Sequence, residues 1–337
     1  MAKTQEGKSS SISMMRVLAM IMIIAFHSML FYTGKWWMFD GPIIPLWKHV
    51  SELLNAIDLP MFVFISGFLF CHLYIKKNKY RDISHFIRAK AQRLLIPYLF
   101  WGVFMVIAMP SLNQWSELLT GISHLWFLLM LLGIFISVIG MSHFLCQKAS
   151  PIHWTIIFIV VFLLFFIYHE FSTHHFFLCI HAVLFYLPAF FLGMCCARFR
   201  LHEYIPCKYA KVLLATTIFL LVFYYLRDIS LPYFVDYFIV LFLGYTFILC
   251  SFVLLNKMNY LGNKTMAIIN HFDKQSMGIY IFNQIIINIF LLIPEVRKIL
   301  GEHYYIGVPI IFLTGLIIPW MLSLLFNRFK ILRWTIG

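Results

Sequence analysis

The feature that most constrains this chain is a series of continuous apolar runs, each about 20 residues long, that recur along its whole length. A run of that length is what an α-helix needs to cross the hydrocarbon core of a bilayer. In lipid every backbone N–H and C=O must be hydrogen-bonded within the protein, so only helices and closed β-barrels span a bilayer. Barrel strands alternate apolar and polar residues, whereas these runs are continuously apolar and therefore indicate helices. We therefore predict an all-α integral membrane protein with about ten transmembrane helices, at 14–33, 52–75, 93–110, 122–146, 152–169, 177–197, 211–228, 232–255, 277–293 and 305–326.

The composition excludes a soluble globular protein. Of the 337 residues, 62% are hydrophobic and only 12% are charged, whereas a soluble domain is about half apolar and a quarter charged. The aromatic share of 19% suits lipid-facing and interfacial positions. The net charge of +13 is compatible with nucleic-acid binding in principle, but its distribution along the chain indicates membrane topology instead.

The positive charges follow the positive-inside rule. With the N-terminus in the cytoplasm, 21 of the 26 Lys and Arg residues fall in cytoplasmic segments and five fall in outer loops. The first apolar run is too long for a signal-peptide core and lacks a small-x-small cleavage site, so we expect it to be retained. We predict that both termini are cytoplasmic, that residues 1–13 are disordered, and that residues 14–330 form a single ten-helix domain.

The seven cysteines show no C-x-x-C spacing, and most lie in or near apolar runs. Small buried hydrophobic residues are the simplest interpretation of this pattern. We therefore expect neither a disulfide framework nor a metal site.

An arginine and a histidine flank the first apolar run, R-V-L-A-M-I-M-I-I-A-F-H, at Arg16 and His27. Eleven residues turn a helix about 20° past three full turns, so the two side chains share one stripe about 16 Å apart. An ionisable group near mid-bilayer is costly and usually faces a bundle interior or a cavity. His27 is therefore either a functional group or a neutral ring bonded to a neighbouring helix, and Arg16 alone would be an interfacial anchor.

The second run begins with an acid, Asp58, about 9 Å below Glu52 along the helix. The helix that carries His27 enters the bilayer from the opposite, cytoplasmic face, and His27 reaches a depth similar to that of Asp58. A carboxylate beside a histidine fixes its tautomer and raises its basicity, which suits a general base, so we predict that His27 and Asp58 form a catalytic pair. Alternatively, Asp58 starts a helix at a shallow interface, where Pro60 bends the entry.

A basic loop, K-K-N-K-Y-R-D-I-S-H-F-I-R-A-K-A-Q-R, precedes the third run. Lys90 and Arg93 stand three residues apart and therefore share a helix face. Topology or anionic lipid explains a basic cytoplasmic loop. A phosphate-bearing cytoplasmic ligand explains it equally well, because Arg and Lys are the usual phosphate binders.

Histidines also occur towards the outer face. His124 and Trp126 belong to the motif H-L-W-F-L at the start of the fourth run, where Trp126 fits an interfacial belt. His174 and His175 lack carboxylate or cysteine partners at ligand spacing, so we expect them to be solvated.

Taken together, these motifs resemble the integral membrane acyltransferases of family 3, which acylate surface polysaccharides, lipopolysaccharide and antibiotics. The resemblance covers essentially the whole chain. The matching segments are R-x10-H (Arg16, His27), P-x-F-x-F-x-S-G-F-L-F (60–70), the basic pair before R-L-L-I-P-Y (Lys90, Arg93), H-L-W-F-L (124–128) and S-M-G-I-Y-I-F-N-Q (276–284).

The resemblance implies a reaction. Acyl-CoA, as donor substrate with no metal, presents its phosphates to Arg16, Lys90 and Arg93, while the pantetheine arm carries the thioester to His27. His27 then acts as general base on a hydroxyl of a cell-envelope glycan or lipid-linked sugar, and a covalent acyl-histidine is the less favoured route. We assign substrate binding to the H-L-W motif, at His124 and Trp126.

The resemblance further implies acetyl as the transferred group and the bacterial inner membrane as the location. Two positions depart from the family pattern. Lys90 stands where many members have Arg, which keeps the charge and loses the planar fork. Asn283 stands where many members have His, and an amide cannot titrate, so we expect no acid–base role for it. Some members carry an appended esterase-like domain, and we expect none in this protein.

A polytopic transporter or exporter, with His27 purely structural, is the alternative function. Such proteins also use many helices and buried polar groups, and they show broken helices in paired halves. Pro60 and Pro188 are candidate breaks, but the two halves of the chain show no detectable repeat.

Overall fold

The computed structural model describes residues 2–36, 41–77, 82–111, 113–171, 177–226, 231–258 and 262–337. All regular secondary structure within these ranges is helical. The α-helices are α1 (Ala2–Leu30), α2 (Pro45–Asn55), α3 (Asp58–Lys77), α4 (Ile83–Ala108), α5 (Glu117–Thr120), α6 (Trp126–Ile139), α7 (Pro151–Phe171), α8 (Ile180–Phe199), α9 (Leu201–Tyr204), α10 (Cys207–Leu226), α11 (Tyr233–Lys257), α12 (Asn263–Leu292), α13 (Pro294–Glu302), α14 (Tyr304–Arg328) and α15 (Lys330–Arg333).

Ten helical segments in the described ranges are long and apolar enough to cross a membrane. This confirms the all-α fold and the ten predicted runs. Three segments begin ten or more residues earlier than predicted: α1 at Ala2 rather than near residue 14, α4 at Ile83 rather than near residue 93, and α12 at Asn263 rather than near residue 277. Hydropathy locates the apolar part of a helix and misses a polar extension beyond it, which explains these differences.

The second predicted run contains a break between two helices. α2 ends at Asn55 and α3 begins at Asp58, with a tight turn in which the Ile57 N–H donates to the Leu54 carbonyl at 3.0 Å. Gly244 of α11 packs on this turn, because a Cβ added there would lie 2.6 Å from the Ala56 carbonyl oxygen. Irregular backbone at membrane depth is tolerated where protein covers it.

One compact unit comprises Met1–Phe62 and His202–Leu324. In this unit α1 packs against α2, α11 and α12. One buried apolar cluster joins α1 to α12 through Met20, Ile24 and Ile279. A second cluster, farther along both helices, contains Met29, Phe31, Tyr32, Trp36, Ile287, Leu291, Leu300, Val308 and Ile311.

The other compact unit comprises Val63–Leu201 and Leu325–Gly337. In it α4 packs against α6, and α8 packs against both α6 and α7. α3 and α8 cross with their backbones in contact, because a Cβ at Gly67 would collide with the Phe190 carbonyl and a Cβ at Gly193 with the Phe64 carbonyl. Small residues at a helix crossing allow backbones to approach this closely.

The first helix includes the N-terminal segment. α1 extends back to Ala2, and its buried Ser11 hydroxyl donates to Asn256 Oδ1 of α11 at 3.0 Å. Disorder of residues 1–13 stays a prediction for the start of this segment, whereas Ser11 and Ser13 lie in the packed part of the helix. The single domain over residues 14–330 likewise stays a prediction.

Candidate active site

Arg16 and His27 both face α12. Arg16 Nε lies 3.0 Å from Asp273 Oδ1, and His27 Nδ1 lies 2.6 Å from Asn283 Oδ1. The two α1 residues are eleven positions apart and their partners are ten apart, in the same order, so the helices run parallel. At 1.5 Å per residue the two polar pairs stand about 15–16 Å apart. The predicted shared stripe of Arg16 and His27 is therefore present.

His27 and Asn283 form a polar layer between the two apolar clusters of their unit. Both side chains are buried, with 8% and 0% of their surface exposed. Phe26 and Trp36 flank the imidazole at centroid distances of 5.4 and 6.4 Å, the indole at an edge-on angle of 86°. The hydrogen bond from Nδ1 to Asn283 and the contacts with these two rings hold the imidazole towards α12.

Asn283 is itself held by α14. Its Nδ2 donates to the Gly315 carbonyl at 2.8 Å, and a Cβ at Gly315 would lie 2.7 Å from that nitrogen. The absence of a side chain at Gly315 therefore allows the amide to reach the backbone of α14. The sequence predicts no acid–base role for Asn283, and it does not indicate that this amide is the hydrogen-bond partner of His27. The sequence does show an amide within the apolar stretch G-I-Y-I-F-N-Q-I-I-I-N, which marks a polar side chain in a membrane span. Its position beside His27 becomes visible only when α1 and α12 are known to pack together.

Asp273 is the other residue that sequence analysis missed. Ser13 Oγ donates to its Oδ2 at 2.7 Å, while its Oδ1 faces Arg16. The Arg16 side chain is 30% exposed and that of Asp273 only 11%. The guanidinium thus has a charge partner and remains open to solvent on part of its surface. Such a cation can exchange a carboxylate for a phosphate, because it binds both with the same geometry.

Asp58 does not pair with His27, which corrects the predicted catalytic dyad. Its Oδ1 accepts a hydrogen bond from the Leu59 N–H at 2.5 Å, and its Oδ2 has no hydrogen-bond partner among the described residues. Asp58 is the first residue of α3, and the side chain turns back onto the start of its own helix. The preference of a carboxylate for a helix N-terminus explains this position. A catalytic role for Asp58 stays a prediction.

Lys90 and Arg93 lie on α4, in the unit that begins at Val63. Lys90 Nζ lies 3.9 Å from the centre of the Phe135 ring and 5.5 Å from that of Phe86, a cation–π arrangement. Arg93 is exposed. Both positions are helical, as their predicted shared face requires, but the aromatic contact makes Lys90 the less accessible cation. Phosphate binding by this pair stays a prediction.

His124 and Trp126 surround a turn that depends on glycine. His124 is buried in a short 3-10 segment, and Trp126 begins α6 with its ring 5.9 Å from that of Tyr186. Gly121 precedes them with φ +109, and a Cβ there would lie 2.7 Å from both Cys179 Sγ and Trp126 Cβ. Substrate binding by these two residues stays a prediction. His174 and His175 lie outside the described residues.

Comparison with known proteins gives one match. The family model described as an acyltransferase domain, for acyltransferase family 3, matches residues 9–325. The match includes every candidate site residue named above. No curated protein and no solved structure shows significant similarity to the chain.

Proposed function

The chain belongs to acyltransferase family 3, and from this premise we propose that it is a membrane O-acyltransferase that uses acyl-CoA as donor. The acceptor in this proposal is a hydroxyl of a cell-envelope glycan or a lipid-linked sugar. The observation that supports it most is the register of α1 on α12. A buried imidazole and a partly exposed guanidinium face the same helix about 16 Å apart.

The separation suits the shape of acyl-CoA. Its phosphates are polyanionic and belong at an aqueous interface, and its pantetheine arm is a slender extended chain that reaches the thioester. We assign phosphate binding to Arg16 and acid–base chemistry to His27, and we retain Lys90 and Arg93 as further phosphate contacts. The guanidinium of Arg16 binds phosphate through paired hydrogen bonds, which anchors the donor at one end.

In the chemical step the acyl group moves from the thioester of acyl-CoA to a hydroxyl oxygen of the acceptor, which becomes an ester. His27 accepts the proton of the acceptor hydroxyl while its oxygen attacks the thioester carbonyl carbon. The C–S bond then breaks, and the leaving thiolate takes the proton from the imidazolium. The apolar clusters around His27 exclude bulk water, which limits the competing hydrolysis of the thioester.

The proposed acceptor is rich in hydroxyl groups, and the unit of His27 contains buried polar atoms that could bind them. Among the described residues, buried atoms without a hydrogen-bond partner include Trp47 Nε1, His49 Nδ1, Asp58 Oδ2 and Asn288 Oδ1. Trp47 also packs against the cluster that contains Trp36. Indole rings and amide, carboxylate and imidazole groups are the side chains that bind saccharide hydroxyls. Acetyl as the acyl group and a bacterial inner membrane as the location complete the proposal.

The transporter alternative receives support from the break between α2 and α3, which resembles the discontinuous helices of secondary transporters. The family match favours acyl transfer over transport. The two functions differ in one measurable product: the enzyme leaves an ester on the acceptor, and the transporter does not.

The test measures donor binding and acyl transfer separately. A non-hydrolysable thioether analogue of acetyl-CoA reports binding to the purified protein in nanodiscs, and mass spectrometry of the surface glycan reports transfer in cells. We expect His27→Gln to abolish glycan acylation and keep analogue binding, and Arg16→Ala to weaken analogue binding.

Matched controls are the exposed His143→Gln and Arg328→Ala, which should behave like the parent protein. An unmodified glycan in cells that express the parent protein would contradict the enzyme. Unchanged analogue binding by Arg16→Ala would contradict the role of Arg16 alone.

A further inference from the structure

We propose that Asn283 is a positioning residue that holds the neutral His27 ring with its proton on Nδ1, so that Nε2 is the nitrogen that accepts the acceptor's proton. This inference rests on the proposed function and adds to it the identity of the basic atom. It follows from three groups on three helices of one unit, which are His27 on α1, Asn283 on α12 and Gly315 on α14.

The first step is the orientation of the amide. The Gly315 carbonyl oxygen can only accept a hydrogen bond, and the nearest Asn283 atom lies 2.8 Å from it. An amide oxygen at that distance would be repelled, whereas the amide NH2 donates. The nitrogen of Asn283 therefore faces α14, and its oxygen faces α1.

The second step is the protonation of the ring. Asn283 Oδ1 lies 2.6 Å from His27 Nδ1, and an amide oxygen has no proton to give. The hydrogen bond forms only if Nδ1 carries the proton. A neutral imidazole carries one proton, so Nε2 is unprotonated and carries the lone pair that a general base requires.

The third step is the choice of an amide rather than a carboxylate as partner. A carboxylate at the place of Asn283 would stabilise the imidazolium and so favour a ring that is already protonated. The amide fixes the same tautomer without a charge, which keeps the resting ring neutral and able to accept a proton. Asparagine has the same orienting position in the Cys-His-Asn arrangement of papain-like proteases.

Gly315 makes this arrangement possible. A Cβ at Gly315 would lie 2.7 Å from Asn283 Nδ2 and 3.0 Å from Ile287 Cδ1. These distances are too short, so an alanine there displaces the amide and with it the acceptor for Nδ1. Asn283 has no exposed surface through which water replaces the lost contact. The effect of Gly315 on His27 therefore passes through Asn283.

The tautomer of His27 determines the path of the proton during the reaction. The acceptor hydroxyl proton moves to Nε2 as its oxygen bonds to the thioester carbonyl carbon. The imidazolium keeps its Nδ1–H on Asn283 Oδ1 throughout. When the C–S bond breaks, the thiolate takes the proton from Nε2, and the ring returns to its starting state.

The direct test reads the tautomer by magic-angle-spinning NMR of 15N-histidine-labelled protein in nanodiscs. Subtraction of the His27→Gln spectrum from that of the parent isolates the His27 signals. We expect a protonated Nδ1 and an unprotonated Nε2 at neutral pH. A protonated Nε2, in either a neutral ring or an imidazolium, would overturn the proposal.

The variant test uses Asn283→Leu, which keeps the size of the side chain and removes the acceptor oxygen. We expect the His27 signals to shift towards the tautomer protonated on Nε2. We also expect the rate of CoA release from acetyl-CoA, with native-host membranes as acceptor source, to fall about 10- to 100-fold at unchanged KM for the donor. This is less than the roughly 10²–10⁴-fold that a general base contributes.

Gly315→Ala should change the tautomer and the rate in the same direction by a smaller factor. The matched control is Gly140→Ala, because a Cβ at Gly140 meets nothing within 4 Å. Unchanged tautomer populations in a monodisperse Asn283→Leu protein would overturn the positioning role. A parent protein with the expected tautomer but no acyl transfer would support the assignment and contradict the proposed function.

Discussion

At the residue scale, the two candidate site residues of α1, Arg16 and His27, differ in the charge of their partners. Asp273 gives Arg16 a counter-charge, while Asn283 gives His27 a neutral hydrogen bond. The difference suits the two proposed roles, because a phosphate anchor keeps its charge throughout and a general base must begin uncharged. In this proposal the Asp273 carboxylate competes with the phosphate for Arg16, whereas His27 has no charged competitor in Asn283.

This competition predicts that Asp273→Asn binds the donor more tightly. In the parent protein a donor phosphate must displace the Asp273 carboxylate from Arg16, and the variant lacks that carboxylate. A partly exposed ion pair contributes about 0.2–1 kcal/mol, so we expect the Kd of the thioether analogue to fall by up to about fivefold. Isothermal titration in nanodiscs measures it, with the exposed Glu295→Gln as control. Weaker binding would show instead that Asp273 positions Arg16.

Some of this site was predictable from the sequence and some was not. The helical stripe of Arg16 and His27 is a local property, fixed by residue spacing alone. Their partners are not local, since Asn283 is 256 positions from His27. The predicted pairing of His27 with Asp58 rests on their similar depth in the bilayer, but depth does not determine which helices are neighbours. A carboxylate at the right depth is therefore the wrong partner.

At the scale of helices, glycines decide where elements meet. Gly67 and Gly193 form a reciprocal contact in which each lies against a carbonyl of the opposite helix. Neither carbonyl can move without breaking its own helix, so the crossing of α3 and α8 has no room for a methyl group. The sequence predicts both helices, but it does not indicate that α3 and α8 meet at these glycines.

Gly67→Ala and Gly193→Ala should therefore each destabilise the protein by about 1–3 kcal/mol, the usual cost of overpacking. Thermal unfolding in detergent, followed by tryptophan fluorescence, measures the loss as a lower Tm. Gly140→Ala, in an open position, should leave Tm unchanged. A parent-like Tm for both variants would mean that α3 and α8 do not touch at these residues.

Gly121→Ala should disturb the H-L-W segment in a different way. Gly121 has φ +109, in the region that disfavours side chains, and its Cβ would meet Cys179 Sγ and Trp126 Cβ at 2.7 Å. We expect a lower Tm and greater reactivity of Cys179, now buried, towards a thiol reagent. Gly262→Ala, which meets nothing within 4 Å, is the control. Unchanged labelling of Cys179 would contradict this packing.

At the scale of the whole molecule, helix directions agree with a ten-span topology. α1 and α12, the first and ninth spans, run parallel, because residues 16 and 27 meet residues 273 and 283 in order. α1 and α11, the first and eighth spans, run antiparallel, because Ser11 near one start meets Asn256 near the other end. When successive spans alternate in direction, the first and ninth must be parallel and the first and eighth antiparallel. Hydropathy alone gives the number of spans and not which of them are neighbours.

The charge distribution adds the orientation and predicts that both termini are cytoplasmic. A green fluorescent protein fused after Gly337 should fluoresce, and an alkaline phosphatase fused there should be inactive. Phosphatase fused after residue 110, in a predicted outer loop, serves as the positive control. An active phosphatase at Gly337 would reverse the predicted topology.

The pairing of the first span with the ninth and tenth has a consequence for synthesis. His27 enters the bilayer early, whereas Asn283 is translated 256 residues later and Gly315 later still. At about 5–20 residues per second, a ribosome needs about 13–50 s to supply Asn283. During that interval His27 lies in the membrane without its hydrogen-bond partner Asn283. A chain cut short before α14 therefore lacks a finished centre, however well its earlier helices have inserted.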